Sequence, residues 1–150
     1  MYPDPRVIEL IDTHFVPVRA HVKEQHAAFQ ELGQRFGAQW TPTTIIIDRE
    51  GVERHRIEGC LPADDYLAQL HLGLGHAAFA ASGFAEAERH FSWVLDHFPD
   101  GDAAPEALYW AGVARYKATK DPAALAETAA AFRTQHTDTS WAKKASVWSK

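Results

Sequence analysis

Cys60 is the only cysteine among 150 residues, and it bounds the redox chemistry of the chain. Thiol–disulfide exchange within one protein needs an attacking thiol and a resolving one. This chain therefore cannot act as a dithiol oxidoreductase on its own. An internal disulfide and a multi-cysteine metal site are excluded for the same reason. A single reactive thiol stays open as a possibility. His55 and Arg56 precede Cys60, but no His or Lys adjoins it directly to favour the thiolate. The apolar helix start that follows predicts a packed, structural cysteine.

Nine histidines raise the question of a metal. His71/His76 and His90/His97 have the closest helical spacings. Neither is the i,i+4 pair of a helical zinc motif, and no carboxylate set completes either. His21 and His26 flank a loop-to-helix junction. These imidazoles read as surface or interface groups, able to make an interface pH-sensitive. No metal and no cofactor is expected. A Gly-rich phosphate loop, a serine nucleophile motif and a paired-carboxylate pattern are all missing from the sequence.

The elements that would carry such residues change character near residue 62. Before it, helix and strand patterns alternate. Residues 5–13 form a short helix with Val7, Ile8 and Ile11 on one side, and His14 ends it. Phe15-Val16-Pro17-Val18-Arg19-Ala20 reads as a strand, with Pro17 removing one ladder donor. Residues 24–36 are helical, and Gly37 stops them. Thr44-Ile45-Ile46-Ile47 is a β-branched strand. Asp48-Arg49-Glu50-Gly51 is a hairpin turn. Val52 to Ile57 returns as a second strand, bulged or weakly sided, and Gly59 breaks it.

From Pro62 onward everything reads as helix. Pro62-Ala63-Asp64-Asp65 is a helix start, with proline and acids in the first turn. Ser82-Gly83 and Pro99-Asp100-Gly101-Asp102 separate helices over 84–98 and 104–118. Two more follow at 122–135 and about 140–149. Five tryptophans are many for this length. Trp93, Trp110, Trp141 and Trp148 lie in the helical half and should be mostly core. Trp148, near the C-terminus, is expected to be the exposed one and to mark an interaction surface.

Two resemblances follow from these residues. The run of strand, helix, Trp40-Thr41-Pro42-Thr43 opening a strand, Asp-x-x-Gly hairpin, second strand, Gly59 and helix resembles the C-terminal part of the thioredoxin fold. The stretch from Tyr2-Pro3-Asp4-Pro5 through Phe15-Val16-Pro17-Val18 looks like the segment that follows the redox helix of that family. This resemblance covers about residues 1–75. It implies that Pro42 is cis and that backbone beside Thr41 and Pro42 pairs with an extended peptide. The family's first strands and its Cys-x-x-Cys would precede residue 1, and Cys60 is not at the nucleophile position. The second half is similar to tetratricopeptide repeats. Leu74, Gly75, Ala87, Phe91 and Pro99 fall at that spacing, with a looser unit around Trp110, Gly112 and Tyr116.

The expected architecture is α/β plus α: a truncated thioredoxin-like unit over 1–75, then tetratricopeptide-like helical hairpins over 63–150, sharing a helix at about 63–81. The thioredoxin strand that normally lies between Phe15–Ala20 and Thr43–Ile47 is absent, which leaves backbone edges without partners. Three remedies are open: the two strands pair directly in a rearranged sheet, a second copy supplies strands or covers the edges, or the chain is part of a longer protein; self-association is the favoured one. Net charge is −5 with a pI near 6.0. Such a surface repels phosphates, so no nucleic acid partner is expected. No apolar run approaches the roughly 18 residues of a membrane span. No secretory signal is evident, so a cytoplasmic location is expected. The expected role is a non-catalytic interaction or self-assembling scaffold protein, binding itself, another protein or a peptide. Trp40, Thr41, Pro42 and Trp148 are the candidate partner-binding residues, and Cys60 is a possible reactive thiol. The alternative is a fragment of a thioredoxin-like thiol–disulfide reductase whose Cys-x-x-Cys lies upstream of Met1.

Overall fold

Asp4 and Pro5 start the first helix in the computed structural model, which describes residues 4–149. The Asp4 carboxylate accepts the Arg6 backbone N–H at 2.9 Å and so satisfies one of the orphan donors of a helix start. Pro5 stands where a missing N–H costs nothing. Helix α1 (Pro5–His14) ends as Phe15 turns extended, at φ −127° and ψ 157°. Tyr2 and Pro3, the start of the thioredoxin-like run, lie outside the described residues.

The strand expected at 15–20 does not form. Residues 15–20 hold no regular structure, and Val16 and Val18 are 93% and 79% exposed. The physical reason is the lack of a neighbour. A strand is defined by its ladder, and among the described residues the sheet contains only β1 and β2. Helix α2 (His26–Phe36) follows and stops at Gly37, whose φ of 61° is the left-handed cap conformation. The Ala38 N–H then closes back on the Gly33 carbonyl at 2.9 Å.

Strands β1 (Thr43–Ile47) and β2 (Glu53–Glu58) pair antiparallel. The register shifts between Ile46 and Ile47, which is the irregularity that the Val52–Ile57 pattern suggested. Thr44 opposes Ile57 and Ile46 opposes His55. Ile46 and Ile57 are both buried, so this is the inner face of the ribbon. The Thr44 hydroxyl meets the Tyr66 hydroxyl at 3.0 Å, which places the start of the next helix against that face.

Helix α3 (Ala63–Ala80) carries Asp64 and Asp65 in its first turn, where acids favour the positive helix end. Helices α4 (Phe84–His97), α5 (Ala104–Thr119), α6 (Ala123–Phe132) and α7 (Ser140–Ala145) complete the chain, with a single 3₁₀ turn at Ser146–Trp148. The breaks fall at Ser82-Gly83 and Pro99–Asp102, as the turn residues predict.

The chain divides into two compact units, Met1–Leu67 and Ala68–Lys150, with the division inside α3. The second unit is cored by small residues. Ala68, Leu72, Ala87, Phe91, Val94, Ala103, Ala107, Ala111 and Ala114 form one buried cluster. Alanine at so many positions lets helix backbones approach closely. Two glycines mark the tightest points. A Cβ at Gly75 would lie 2.5 Å from the Phe91 ring, and one at Gly112 would lie 1.9 Å from Thr128 Oγ1. The result is a mixed α/β chain: a two-stranded ribbon with helices, continued by helices of which α5 packs on α4, α6 and α7.

Candidate interaction site

Trp40, Thr41 and Pro42 stand together at the entrance of β1, all exposed, with Trp40 at 69%. The chain arrives from the Gly37 cap and must turn into the ribbon within a few residues. The Thr41–Pro42 bond is cis, as the resemblance implies. The Thr43 hydroxyl donates to the Trp40 carbonyl at 2.7 Å, and the Gly59 N–H donates to the Pro42 carbonyl at 2.8 Å. The entrance is thereby tied both to itself and to the end of β2.

The far end of the ribbon is fixed by Asp48. Its carboxylate accepts the Glu50 and Val52 backbone N–H groups, each at 2.9 Å, and the Arg54 Nε at 2.7 Å. The Val52 N–H, followed by Arg54, holds this carboxyl below its usual range. Gly51 supplies the positive φ of 79° that the turn requires. On β2, Arg56 pairs with Glu53 at 2.7 Å and donates to the Phe36 carbonyl. That bond ties the end of α2 to the ribbon. Glu53 is held low and Arg56 high by their shared hydrogen bond.

Which backbone groups of β1 face outward follows from antiparallel alternation. Pro42 and Asp48 both bond toward β2, through Gly59 and Val52. Thr44 and Ile46, two residues along, bond the same way, and Thr43, Ile45 and Ile47 point the opposite way. Among the described residues no strand pairs with that outer edge. The same unit also carries Ile8, Val16, Val18, Val22, Trp40, Ile47 and Val52, all large, apolar and exposed. Of these, Ile47 lies on β1 itself and Trp40 at its entrance.

Two expected positions turn out differently. Cys60 is exposed, not packed. It sits in the bend after Gly59, whose φ is 86°, and precedes the helix start without entering it. Trp148 is half-buried, not an exposed marker. Its ring stacks on Tyr109 at 4.9 Å, and Tyr109 also meets Trp141 at 5.3 Å. The 3₁₀ turn folds the end of the chain back onto α5, which supplies the cover that a free helix end would lack. The exposed tryptophan is Trp40. Trp40, Thr41, Pro42 and Cys60 belong to the first unit, and Trp148 to the second.

His71, His76 and His90 meet partners on other helices, and His97 meets Trp93 along α4. His71 and His90 approach at 3.1 Å through their Nδ1 atoms. Trp93 stacks between His71 at 3.7 Å and His97 at 4.0 Å. His76 pairs with Glu106 at 2.7 Å, between the edges of Phe91 and Trp110. The Trp93–His97 spacing of four was readable from the sequence, because such residues share a helix face. The partners on other helices were not. A shallow groove of about 160 Å³ also lies in this unit, lined in part by Leu95, Leu108, Gly112 and Arg115. Arg115 is held there by Glu88 at 2.7 Å and Glu127 at 3.6 Å.

Comparison with known proteins agrees with the first of the two resemblances. Residues 1–73 match the family model of the thioredoxin-like domain, just under half of the chain. No curated protein and no solved structure matches the chain. The thioredoxin-like character of the first half therefore rests on that match together with the helix, cis-proline, hairpin and helix order. Among the described residues, no helix is long and apolar enough to cross a membrane.

Proposed function

We propose that this chain is a protein-interaction module whose contact site is the outer edge of β1, entered through Trp40, Thr41 and cis-Pro42. The observation that carries the reading is the open edge itself. Thr43, Ile45 and Ile47 direct their backbone groups away from β2, in a unit whose described residues include seven exposed large apolar side chains. Strand addition supplies affinity through main-chain hydrogen bonds and specificity through alternate side chains. Trp40 adds a large amphipathic surface of the kind that anchors interfaces. The helices from α3 onward are read as tetratricopeptide-like. Gly75 against Phe91 and Gly112 against Thr128 supply the close crossings that such hairpins use. In this reading the module is non-catalytic and works as a scaffold in the cytoplasm.

The test is a titration followed by amide NMR. The probe is an unstructured eight-residue peptide alternating Val and Thr. Binding should shift Thr43, Ile45 and Ile47, and should quench Trp40. Trp40→Ala should weaken binding about tenfold, which corresponds to about 1.4 kcal/mol. Shifts confined to the second unit would sink the proposal.

A second reading is favoured by the cis Thr41–Pro42 bond and by the thioredoxin-like match of residues 1–73. The chain is then part of a thiol–disulfide reductase whose Cys-x-x-Cys lies upstream of Met1. Translating the gene upstream of Met1 decides it. An in-frame Cys-x-x-Cys supports the reductase, and a stop codon without one removes it.

A further inference from the structure

The segment that failed to become a strand has the form of one. Phe15 is extended, residues 15–20 hold no regular structure, and Val16 and Val18 are the two most exposed large apolar residues described. In an extended chain, residues two apart direct their backbone groups to one side. Val16, Val18 and Ala20 therefore present one edge, and Pro17 and Arg19 present the other. Pro17 has no N–H to offer, so the second edge is poor and the first is whole. A segment with one good edge can add to a sheet and then end it.

The outer edge of β1 offers three outward residues, Thr43, Ile45 and Ile47. The arm offers three matching residues, Val16, Val18 and Ala20. Arm and edge belong to one chain but are not paired with each other. Resting on the reading of β1 as a strand acceptor, we infer that the occupant of the edge is the arm of a second copy of this chain. The exchange is reciprocal: each copy gives residues 15–20 and receives its partner's. A twofold arrangement of this kind uses the same surfaces on both copies and closes on itself. Pro17 prevents a further strand from pairing on the outside, so the assembly stops at two and does not grow into a fibre.

The experiment uses the full chain with Cys60→Ser, which removes chance disulfides. Sedimentation across a concentration range should show a monomer–dimer equilibrium. Val16→Asp together with Val18→Asp should weaken it at least tenfold. Both positions are exposed, so the variant keeps its fold, and circular dichroism checks this. Amide exchange at high concentration should slow at Val16, Val18, Ala20, Thr43, Ile45 and Ile47 together and leave Arg19 fast. A synthetic peptide of residues 14–22 added to the doubly substituted monomer should protect the β1 amides alone.

A monomer at every concentration overturns the inference. So does a dimer unaffected by the double substitution, or slowed exchange at β1 with the arm still fast, which would mean edge-to-edge pairing. Each of these outcomes leaves the reading of β1 as an acceptor to be judged by its own peptide titration. If that titration also fails, both fall.

Discussion

Gly112 shows how little room a single position can have. Alanine is a better helix former than glycine by about 1 kcal/mol, so Gly112→Ala would stabilise an isolated helix. Here the new methyl would lie 1.9 Å from Thr128 Oγ1 and 2.8 Å from Thr128 Cβ. Overpacking at a close crossing costs about 1–3 kcal/mol, and it wins. Urea unfolding should therefore place the variant below the wild type. Asp48 acts through charge instead. Its folded pKa is depressed, so the stability it contributes is present above the unfolded value of about 4. That stability is lost as pH falls through the lower folded value. Asp48→Asn should lower the melting temperature more at pH 7 than at acid pH below the unfolded value, as thermal unfolding at the two pH values can check. Some of this scale was open to sequence reading. Asp48-Arg49-Glu50-Gly51 announces its turn through residue types alone. The exposure of Cys60 and the cover on Trp148 were not legible. Each depends on where the chain goes next, after Gly59 in one case and back onto Tyr109 in the other.

At the level of elements, local signals were read well wherever the element satisfies itself. Helices α1 to α5 begin and end close to where caps, prolines and glycines place them, because a helix bonds within its own chain. The Phe15–Ala20 segment has β-branched residues in alternation, yet it is no strand, because a strand needs a neighbour that composition cannot supply. The same contrast predicts how substitutions behave. Val16→Thr with Val18→Thr, measured at a dilution that keeps the protein monomeric, should change folding stability by less than about 0.5 kcal/mol, since both side chains are in solvent. Phe91→Ala should cost about 3–5 kcal/mol, because Phe91 is fully buried in the α4–α5 core beneath Gly75. Chemical denaturation of the two variants side by side measures both.

Across the whole chain, stability should be unevenly spread. The second unit holds the contiguous apolar cluster, and among the described residues the first holds seven of the eight large apolar ones that remain exposed. Native-state amide exchange should therefore be slowest at Val94, Ala107, Ala111 and Ala114 and fastest along residues 16–20. Uniform exchange rates would contradict this. The change of character at residue 62 was visible in the sequence, since periodicity and turn residues both shift there. The division inside α3, after Leu67, was not, because a helix that runs through a boundary carries no break in its pattern.

Trp93 has a further use. Its indole is layered between the imidazoles of His71, on α3, and His97, one turn further along α4. Ring-on-ring contact at such spacing governs how long an excited indole lives. The emission lifetime of Trp93 is therefore a built-in gauge of the register between α3 and α4. With the other four tryptophans replaced by phenylalanine, a slide of one helix past the other by a fraction of a turn would be readable as light.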